Sequence, residues 1–218
     1  MICRSLALVG AFTVASMAHA AEFTWSGAAP TSQTAGNLAG HNEYMSRQFD
    51  DRYGMTGIQM REHQDDPIYI QIFAERLCAT VEDGPCPGRG SREFTLRAGV
   101  SGNFASSKDV FVAEGHFVTG ISVCMNRRED KIKGIRLIAR PINPDGTIDN
   151  STNPYVDSFA RPNCATNHWS NQVDCPANNV VVGLRAVYSH DSGAKGIQPV
   201  CAQINRPMGA SRPGIASN

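Results

Sequence analysis

The sequence predicts an all-β, disulfide-stapled domain in which three Greek-key sheets surround a pseudo-threefold axis. Strand-like runs rich in Val, Ile, Phe and Thr recur along the chain. They are separated by Gly, Pro, Asn and Asp, with little helical periodicity. Three of these runs recur at equal spacing, which indicates internal repeats. Six cysteines follow a predicted export signal, and this even number indicates disulfide bonds.

The three repeats share one pattern: a strand that contains a glycine, a polar loop, and a returning strand that carries Ile-Gln or Ile-Arg near its start. Their glycines are Gly57, Gly120 and Gly183, and successive glycines lie 63 residues apart. The alternative is a coincidence among ordinary hairpins, and a β-trefoil, which is also threefold, usually has shorter units. We expect the inner faces of the sheets to carry Ile58, Ile72, Ile121, Leu137, Leu184 and Val200.

The N-terminal residues 1–20 have the features of a cleavable secretory signal peptide. One basic residue, Arg4, precedes an apolar run from Ser5 to Met17, and Ala18-His19-Ala20 places small residues where signal peptidase cleaves. The alternative is a membrane anchor, but the run is too short to cross a hydrocarbon core of ~30 Å as a helix. We therefore predict no membrane span and a secreted, extracellular or periplasmic location.

The cysteines of the mature chain predict three disulfides. Short loops favour pairing of Cys78 with Cys86 and of Cys164 with Cys175. These two pairs leave Cys124 to join Cys201, although fifteen pairings are formally possible. Zinc is the competing use, but the cysteines show no CxxC spacing and no histidine pair lies beside them. The sequence therefore predicts disulfides and neither a metal site nor a cofactor.

The balance of basic and acidic residues indicates which partners the chain does not bind. Basic and acidic residues number 20 each, and only one of them, Arg4, lies in the signal peptide. Such a balance argues against nucleic acid or an anionic membrane as the main partner.

Residues 21–44 are predicted as a linker or N-terminal arm, the alternative being that Phe23 to Trp25 form a covering strand. Residues 45–204 form the predicted domain, and residues 205–218 a disordered tail.

Candidate ligand-binding residues concentrate in the loops between the paired strands. Threefold repetition predicts that these loops lie at one end of the domain. Carboxylates there could accept hydrogen bonds from sugar hydroxyls, bind a cation, or act as acid and base. The alternative is that hairpin tips are polar because water surrounds them. The first loop also contains Glu62 and His63, and the candidate residues are Asp65, Asp66, Glu129, Asp130, His190 and Asp191.

A second candidate is Trp169, which follows His168 in a polar loop. The apolar face of an indole matches the C–H face of a pyranose, so an exposed Trp here would form a stacking platform; the alternative is a core Trp. The sequence contains no nucleophile elbow, Walker loop or H-E-x-x-H motif. It therefore favours a secreted protein that binds carbohydrate or another surface polymer. The alternative is a glycan-active hydrolase or transglycosylase that uses loop carboxylates.

The third repeat supplies a family resemblance. Trp169 to Pro176, then Val181-Val182-Gly183-Leu184, then Gly196 to Cys201 together resemble a repeat of vitelline membrane outer layer protein I. That family combines a Trp, a Cys-Pro, a Val-x-Gly strand, an acidic loop and a Gly-Ile strand that ends in Cys. The resemblance implies the β-prism fold, which jacalin-related lectins share, and an extracellular role near glycans.

Overall fold

The computed structural model describes residues 22–39, 42–63, 66–79, 91–97, 106–164, 169–189 and 193–205. The predicted signal peptide, the tail after Asn205, and Asp65, Cys86, His168, His190 and Asp191 lie outside these ranges. The described residues form strands and no helix, as the sequence predicts. The strands are β1 (Thr24–Pro30), β2 (Ala35–Gly36), β3 (Asn42–Gln48), β4 (Tyr53–His63), β5 (Asp66–Arg76), β6 (Arg92–Arg97), β7 (Ser106–Phe111), β8 (His116–Met125), β9 (Ile132–Pro141), β10 (Tyr155–Ala160), β11 (Val173–Asp174), β12 (Asn179–Ser189) and β13 (Gly193–Asn205).

Three antiparallel sheets form a β-prism with one long hairpin at the centre of each. The first sheet has the order β6-β5-β4-β7 and the second the order β10-β9-β8-β11. In both, the strand after the hairpin pairs with its second arm, and the next strand returns to its first arm, as in a Greek key. The third sheet has the order β1-β13-β12-β3, and β2 also pairs with β13. Its outer strands therefore come from the N-terminal part of the chain, and the predicted fold class is confirmed.

The N-terminal segment is part of the prism. In the predicted arm, β1 pairs with β13, with Thr24 opposite Asn205 and Trp25 opposite Ile204. The indole Nε1 of Trp25 donates a hydrogen bond to the carbonyl of Tyr53 at 3.0 Å. Residues 24–48 therefore supply both outer strands of the third sheet, since β1 pairs with β13 and β3 pairs with β12. The alternative that Phe23 to Trp25 form a covering strand agrees with the pairing of Thr24 and Trp25 with β13.

The internal repetition is visible in the backbone as equivalent β-bulges. Each central hairpin shifts register immediately before its repeat glycine and again four residues later. A bulge adds one residue to one strand and increases the local twist. We therefore expect the equivalent bulges to bend and twist the three hairpins in the same way. The second shift in each hairpin immediately precedes Glu62, Met125 and Tyr188.

The repeat glycines are required where a neighbouring strand lies close. A Cβ on Gly183 would lie 2.6 Å from the Cα of Gln48 and would also overlap the carbonyl oxygen of Arg47. These are backbone atoms of β3, so neither can move without separating the strands. A Cβ on Gly120 would instead meet the carboxylate of Asp174, which is the movable end of a side chain.

We therefore expect Gly183→Ala to be destabilising and Gly120→Ala to be nearly neutral. Overpacking against fixed atoms typically costs about 1–3 kcal/mol, whereas the Asp174 side chain can rotate away. Urea denaturation of both variants, monitored by far-UV circular dichroism, measures the difference in the free energy of unfolding. Equal losses in the two variants would contradict the close approach of β3.

The predicted inner-face residues are buried. Ile58, Ile72, Ile121, Leu137 and Leu184 belong to the main core between the three sheets. Val200 is also buried, but in a second cluster. That cluster includes Phe23, Leu77, Phe117 and Ile204.

Tyr188 shows how the core accommodates a polar group. Its hydroxyl donates a hydrogen bond to the carbonyl of Leu96 at 3.2 Å, and burial raises the pKa of the Tyr188 hydroxyl.

Two of the three predicted disulfide pairings are wrong. The structure joins Cys124 to Cys164 and Cys175 to Cys201, with Cα–Cα distances of 5.7 and 5.6 Å. Sequence proximity failed because strand order decides which cysteines meet. At the end of β10, Ala160 lies opposite Gly134 of β9, and Gly134 in turn lies opposite Cys124 of β8. Because Gly134 has no side chain, there is room beside Cys124 for the chain that follows β10. Cys78 is disulfide-bonded, and its predicted partner Cys86 lies outside the described residues.

Candidate ligand-binding cleft at the hairpin end

The described ends of the three central hairpins lie together, at what we call the hairpin end of the prism. Lys131, beside the loop of the second hairpin, forms an ion pair with Asp66 at the start of β5. Gly193 at the start of β13 packs against Pro67, so that a Cβ on Gly193 would lie 2.9 Å from the Pro67 carbonyl oxygen. The repeat therefore brings the described ends of the three hairpins together at one end.

The loop between β8 and β9 is held by its own side chains. Asn126 Nδ2 donates to Asp130 Oδ1 at 2.6 Å, and Asn126 Oδ1 accepts hydrogen bonds from the backbone N–H groups of Asp130 and Lys131. Glu129 has a positive φ of 56° and its amide donates to the carbonyl of Asn126 at 2.9 Å. The Asp130 carboxylate thus fixes the turn, while the side chain of Glu129 is exposed.

A cleft of about 510 Å³ opens beside this loop, and we call it the hairpin-end cleft. One wall comes from the segment after β1: Asn37 Nδ2 donates to the carbonyl of Glu129 at 2.9 Å, and Leu38 is 41% exposed. Two predicted site residues from different parts of the chain, Glu129 and Trp169, contribute to the cleft. Its lining residues are Thr34, Gly36, Asn37, Leu38, Met125, Glu129, Trp169 and Ser170.

Trp169 is neither a core residue nor a fully exposed platform. It forms a β-bridge with Cys124, and the guanidinium of Arg136 lies 4.1 Å from its ring centroid. Ser170 fixes the same segment, because its amide donates to the carbonyl of Val123 and its hydroxyl accepts from the amide of Val123. Arg136 therefore covers part of the indole and orients it, while the half-buried ring also contributes to the cleft.

The predicted site residues thus divide into two groups. Glu129 and Trp169 meet in the hairpin-end cleft, whereas Asp66 and Asp130 make contacts that hold the loops. Asp65, His190 and Asp191 lie outside the described residues. Asn37 and Leu38 were missed because the segment was interpreted as a linker. Phe23 and Trp25, two aromatic residues earlier in the same N-terminal region, were the available signal that this region packs on the domain.

Glu62 has a different role from the exposed loop residue that the sequence indicates. Its carboxylate is buried between Lys133 Nζ, at 3.0 Å from Oε1, and Arg161 Nη1, at 3.2 Å from Oε2. Lys133 belongs to the second sheet and Glu62 to the first, so the ion pairs connect two sheets. These residues bind one another in the interior and are not available to a ligand at the cleft.

Two further observations concern the described part of the chain. It contains no helix that is long and apolar enough to cross a membrane. Nor do these residues include a group of three or more His, Cys, Asp or Glu side chains placed to hold a metal ion.

Comparisons with known proteins give structural likeness only. No family model matches the chain, and no curated protein matches it. Among solved structures, it is similar to Calystegia sepium agglutinin at 15% identity and a TM-score of 0.45, covering 78% of this chain and 93% of that chain. It is similar to the prostate-specific WGA16 glycoprotein lectin at 15% identity and a TM-score of 0.46, covering 80% and 99%. A mannose-binding jacalin-related lectin from Ananas comosus gives 13% identity and a TM-score of 0.43, covering 83% and 100%. The resemblance to vitelline membrane outer layer protein I stays a prediction.

Proposed function

We propose that this protein is an exported carbohydrate-binding protein that recognises a glycan or a related surface polymer through the hairpin-end cleft. The observation that carries the proposal is the meeting of Trp169, Glu129 and Asn37 at one open cleft of about 510 Å³. A sugar presents both apolar C–H faces and hydroxyl groups. An indole, an aliphatic side chain and nearby amide and carboxylate groups complement both surfaces.

The cleft supports binding over catalysis. Glycoside hydrolysis requires two carboxyl groups about 5–10 Å apart across the scissile bond. Among the described residues that line the cleft, Glu129 is the only one with a carboxylate. The loop carboxylate of Asp130 is engaged by Asn126, and that of Asp66 by Lys131. Binding of a ligand is therefore the function that this arrangement favours over catalysis.

An open cleft implies modest affinity. Charge-assisted hydrogen bonds contribute more when they are sheltered from water, and Glu129 is exposed at the rim of the cleft. We expect dissociation constants in the roughly millimolar to micromolar range for a single sugar unit. Polymeric or clustered ligands would bind more strongly through repeated contacts.

We expect Trp169→Ala to weaken glycan binding by about tenfold or more, which corresponds to ~1.4 kcal/mol. The reason is that the indole supplies the aromatic surface of the cleft. A broad glycan array identifies the ligand, and isothermal titration calorimetry of the wild type and the variant then measures the dissociation constants.

Trp25→Phe is the matched control, because Trp25 lies on β1 and hydrogen-bonds Tyr53 instead of lining the cleft. It also leaves Trp169 as the single tryptophan of the chain, so ligand binding should change the remaining fluorescence. No glycan bound on the array, or equal affinity in the wild type and Trp169→Ala, would reject the proposal.

A further inference from the structure

The opposite end of the prism, which we call the far end, contains a second polar cleft. The far end is formed where β8 and β12 begin and where β9 ends. Thr119 on β8 and Arg140 on β9 line a cavity there of about 260 Å³. Thr119 lies six residues before Met125, so the cavity is separated from the hairpin end by roughly 20 Å along the strand. It is therefore distinct from the hairpin-end cleft.

The carboxylate of Asp174 lines this cavity and is oriented by one side-chain hydrogen bond. Its Oδ1 accepts a hydrogen bond from Gln172 Nε2 at 2.6 Å, and the carboxyl carbon would lie 3.3 Å from a Cβ on Gly120. The absent side chain of the glycine thus leaves the space in which the carboxylate rests. Its other oxygen, Oδ2, accepts no hydrogen bond from the described residues.

The other two repeats do not share this carboxylate. The equivalent glycine of the first hairpin, Gly57, lies under the ring of Phe111, and that of the third, Gly183, lies against the backbone of β3. Three equivalent positions are therefore covered in three different ways. Only the glycine of the second hairpin, Gly120, is covered by a charged side chain, that of Asp174. This difference indicates that Asp174 has a role other than closing the prism.

The opposite wall of the cavity is held by hydrogen bonds of Arg140. Arg140 Nη1 donates to the carbonyls of Asp149 and Thr152, at 3.2 and 2.8 Å. The backbone amide and the hydroxyl of Ser151 both donate to Asp149 Oδ1, and these bonds lower the pKa of the Asp149 carboxyl. Arg140 therefore anchors the loop that contains Asp149 and Thr152. Asn150, which follows Asp149 in this loop, lines the cavity.

The chemistry of the lining identifies the class of ligand. Arg140 and Asp174 supply one positive and one negative charge, so the lining is neutral overall. Gln172, Asn178 and Asn179 contribute amides that can donate and accept hydrogen bonds. The volume is close to the lower end of the ~300–1,000 Å³ range of small-molecule sites. A neutral, compact molecule with several hydroxyl groups satisfies these conditions.

We propose that the far-end cavity is a second ligand site, which binds a single neutral sugar unit with Asp174 and Asn179 as hydrogen-bonding residues. Asp174 Oδ2 accepts from ligand hydroxyls, and the side-chain amide of Asn179 donates to an adjacent hydroxyl oxygen. The cavity and the hairpin-end cleft are lined by different residues. The proposal of a far-end site can therefore be tested independently of the proposed function of that cleft. A chain with both sites can bind two separated units of one polymer.

The test is a nuclear magnetic resonance titration of the full mature chain with the methyl glycosides of mannose, glucose, galactose and N-acetylglucosamine. At least one glycoside should give saturable shifts of the backbone amides of Thr119, Asp174 and Asn179. Asp174→Asn should weaken this binding by about tenfold or more, because hydrogen bonds to a charged acceptor are among the stronger ones. Asp157→Asn, which changes an exposed aspartate on β10, should leave it unchanged.

Two further variants separate the possible outcomes. Gly120→Ala displaces the Asp174 carboxylate without removing it, and it should weaken binding even if Asp174→Asn fails to fold. Trp169→Ala should leave the far-end shifts intact. Shifts confined to Glu129 and Ser170 would support the hairpin-end cleft and overturn this second site. No shift at either end, or unchanged affinity in both Asp174→Asn and Gly120→Ala, would also overturn it.

Discussion

Removal of the Cys175–Cys201 disulfide is expected to lower the free energy of unfolding by about 3.5 kcal/mol. The bond closes a loop with a sequence separation of 26 residues, and a cross-link of this length restricts the unfolded chain by about that amount. Cys175 lies at the edge of the second sheet, where its amide donates to the carbonyl of Thr119, and Cys201 lies on β13 of the third sheet. The disulfide therefore joins two faces of the prism.

The paired substitution Cys175→Ser with Cys201→Ser tests this expectation. Thermal unfolding followed by circular dichroism should show a midpoint lower by roughly 7–14 °C for a chain of this size. The control is the double substitution of Cys124 and Cys164 by Ser. Their bond joins β8 to the segment that follows β10 of the same sheet, so this variant loses a disulfide but no connection between two sheets. Peptide mapping of unreduced protein should recover both observed pairs. Recovery of Cys164 linked to Cys175 would contradict the structure.

The fold was predictable because local pattern and repetition agree. Each glycine at the 63-residue spacing precedes the same hairpin geometry, and each follows a bulge in the observed sheets. Ile58, Ile121 and Leu184 were predicted on the inner faces of the three sheets, and they are found in the core. A sequence repeat that is maintained through turns and strands reports a repeated backbone, since each unit must bury an equivalent face.

Features that depend on strand order were not predictable in the same way. The disulfide pairings follow from the return of β10 beside β9 and from the position of β11 next to β8. Sequence separation alone contains neither fact. The strand pairing of residues 26–30 was missed for a similar reason: small residues such as Gly27 and Ala28 are common in linkers, but here they lie in β1, which pairs with β13.

The candidate site shows the same division. Loop polarity and the repeat predicted a common hairpin end, but not which side chains would remain available to a ligand. Asp130 and Asn126 satisfy each other within one turn, and Asp66 pairs with Lys131 from another sheet. The approach of Asn37 to Glu129 depends on a long-range contact. Loop composition therefore predicted the end of the domain at which the candidate cleft lies, while tertiary contacts decide which side chains line that cleft.

Glu62→Gln is expected to destabilise the protein by about 3–5 kcal/mol, because it removes the charge that two buried cations share. The Lys133 side chain is 1% exposed and that of Arg161 is 9% exposed. Neither can move to water without opening the contact between the first two sheets. Urea denaturation at neutral pH gives the change in the free energy of unfolding. Glu22→Gln, at an exposed ion pair with Arg76, is the matched control and should change it little.

The equivalent positions in the other repeats indicate what would replace the charged group. Met125 follows the same second bulge as Glu62, so an apolar side chain of similar length fits this position of the hairpin. The triple substitution of Glu62, Lys133 and Arg161 by Met should therefore recover most of the stability lost in Glu62→Gln, since a buried ionic group can be replaced by packed apolar residues at little cost. If Glu62→Gln is as stable as the wild type, the ion pairs do not connect the sheets. If the triple variant is less stable than Glu62→Gln, the three residues contribute through packing geometry that Met cannot reproduce, and compensation of buried charge is not their main role.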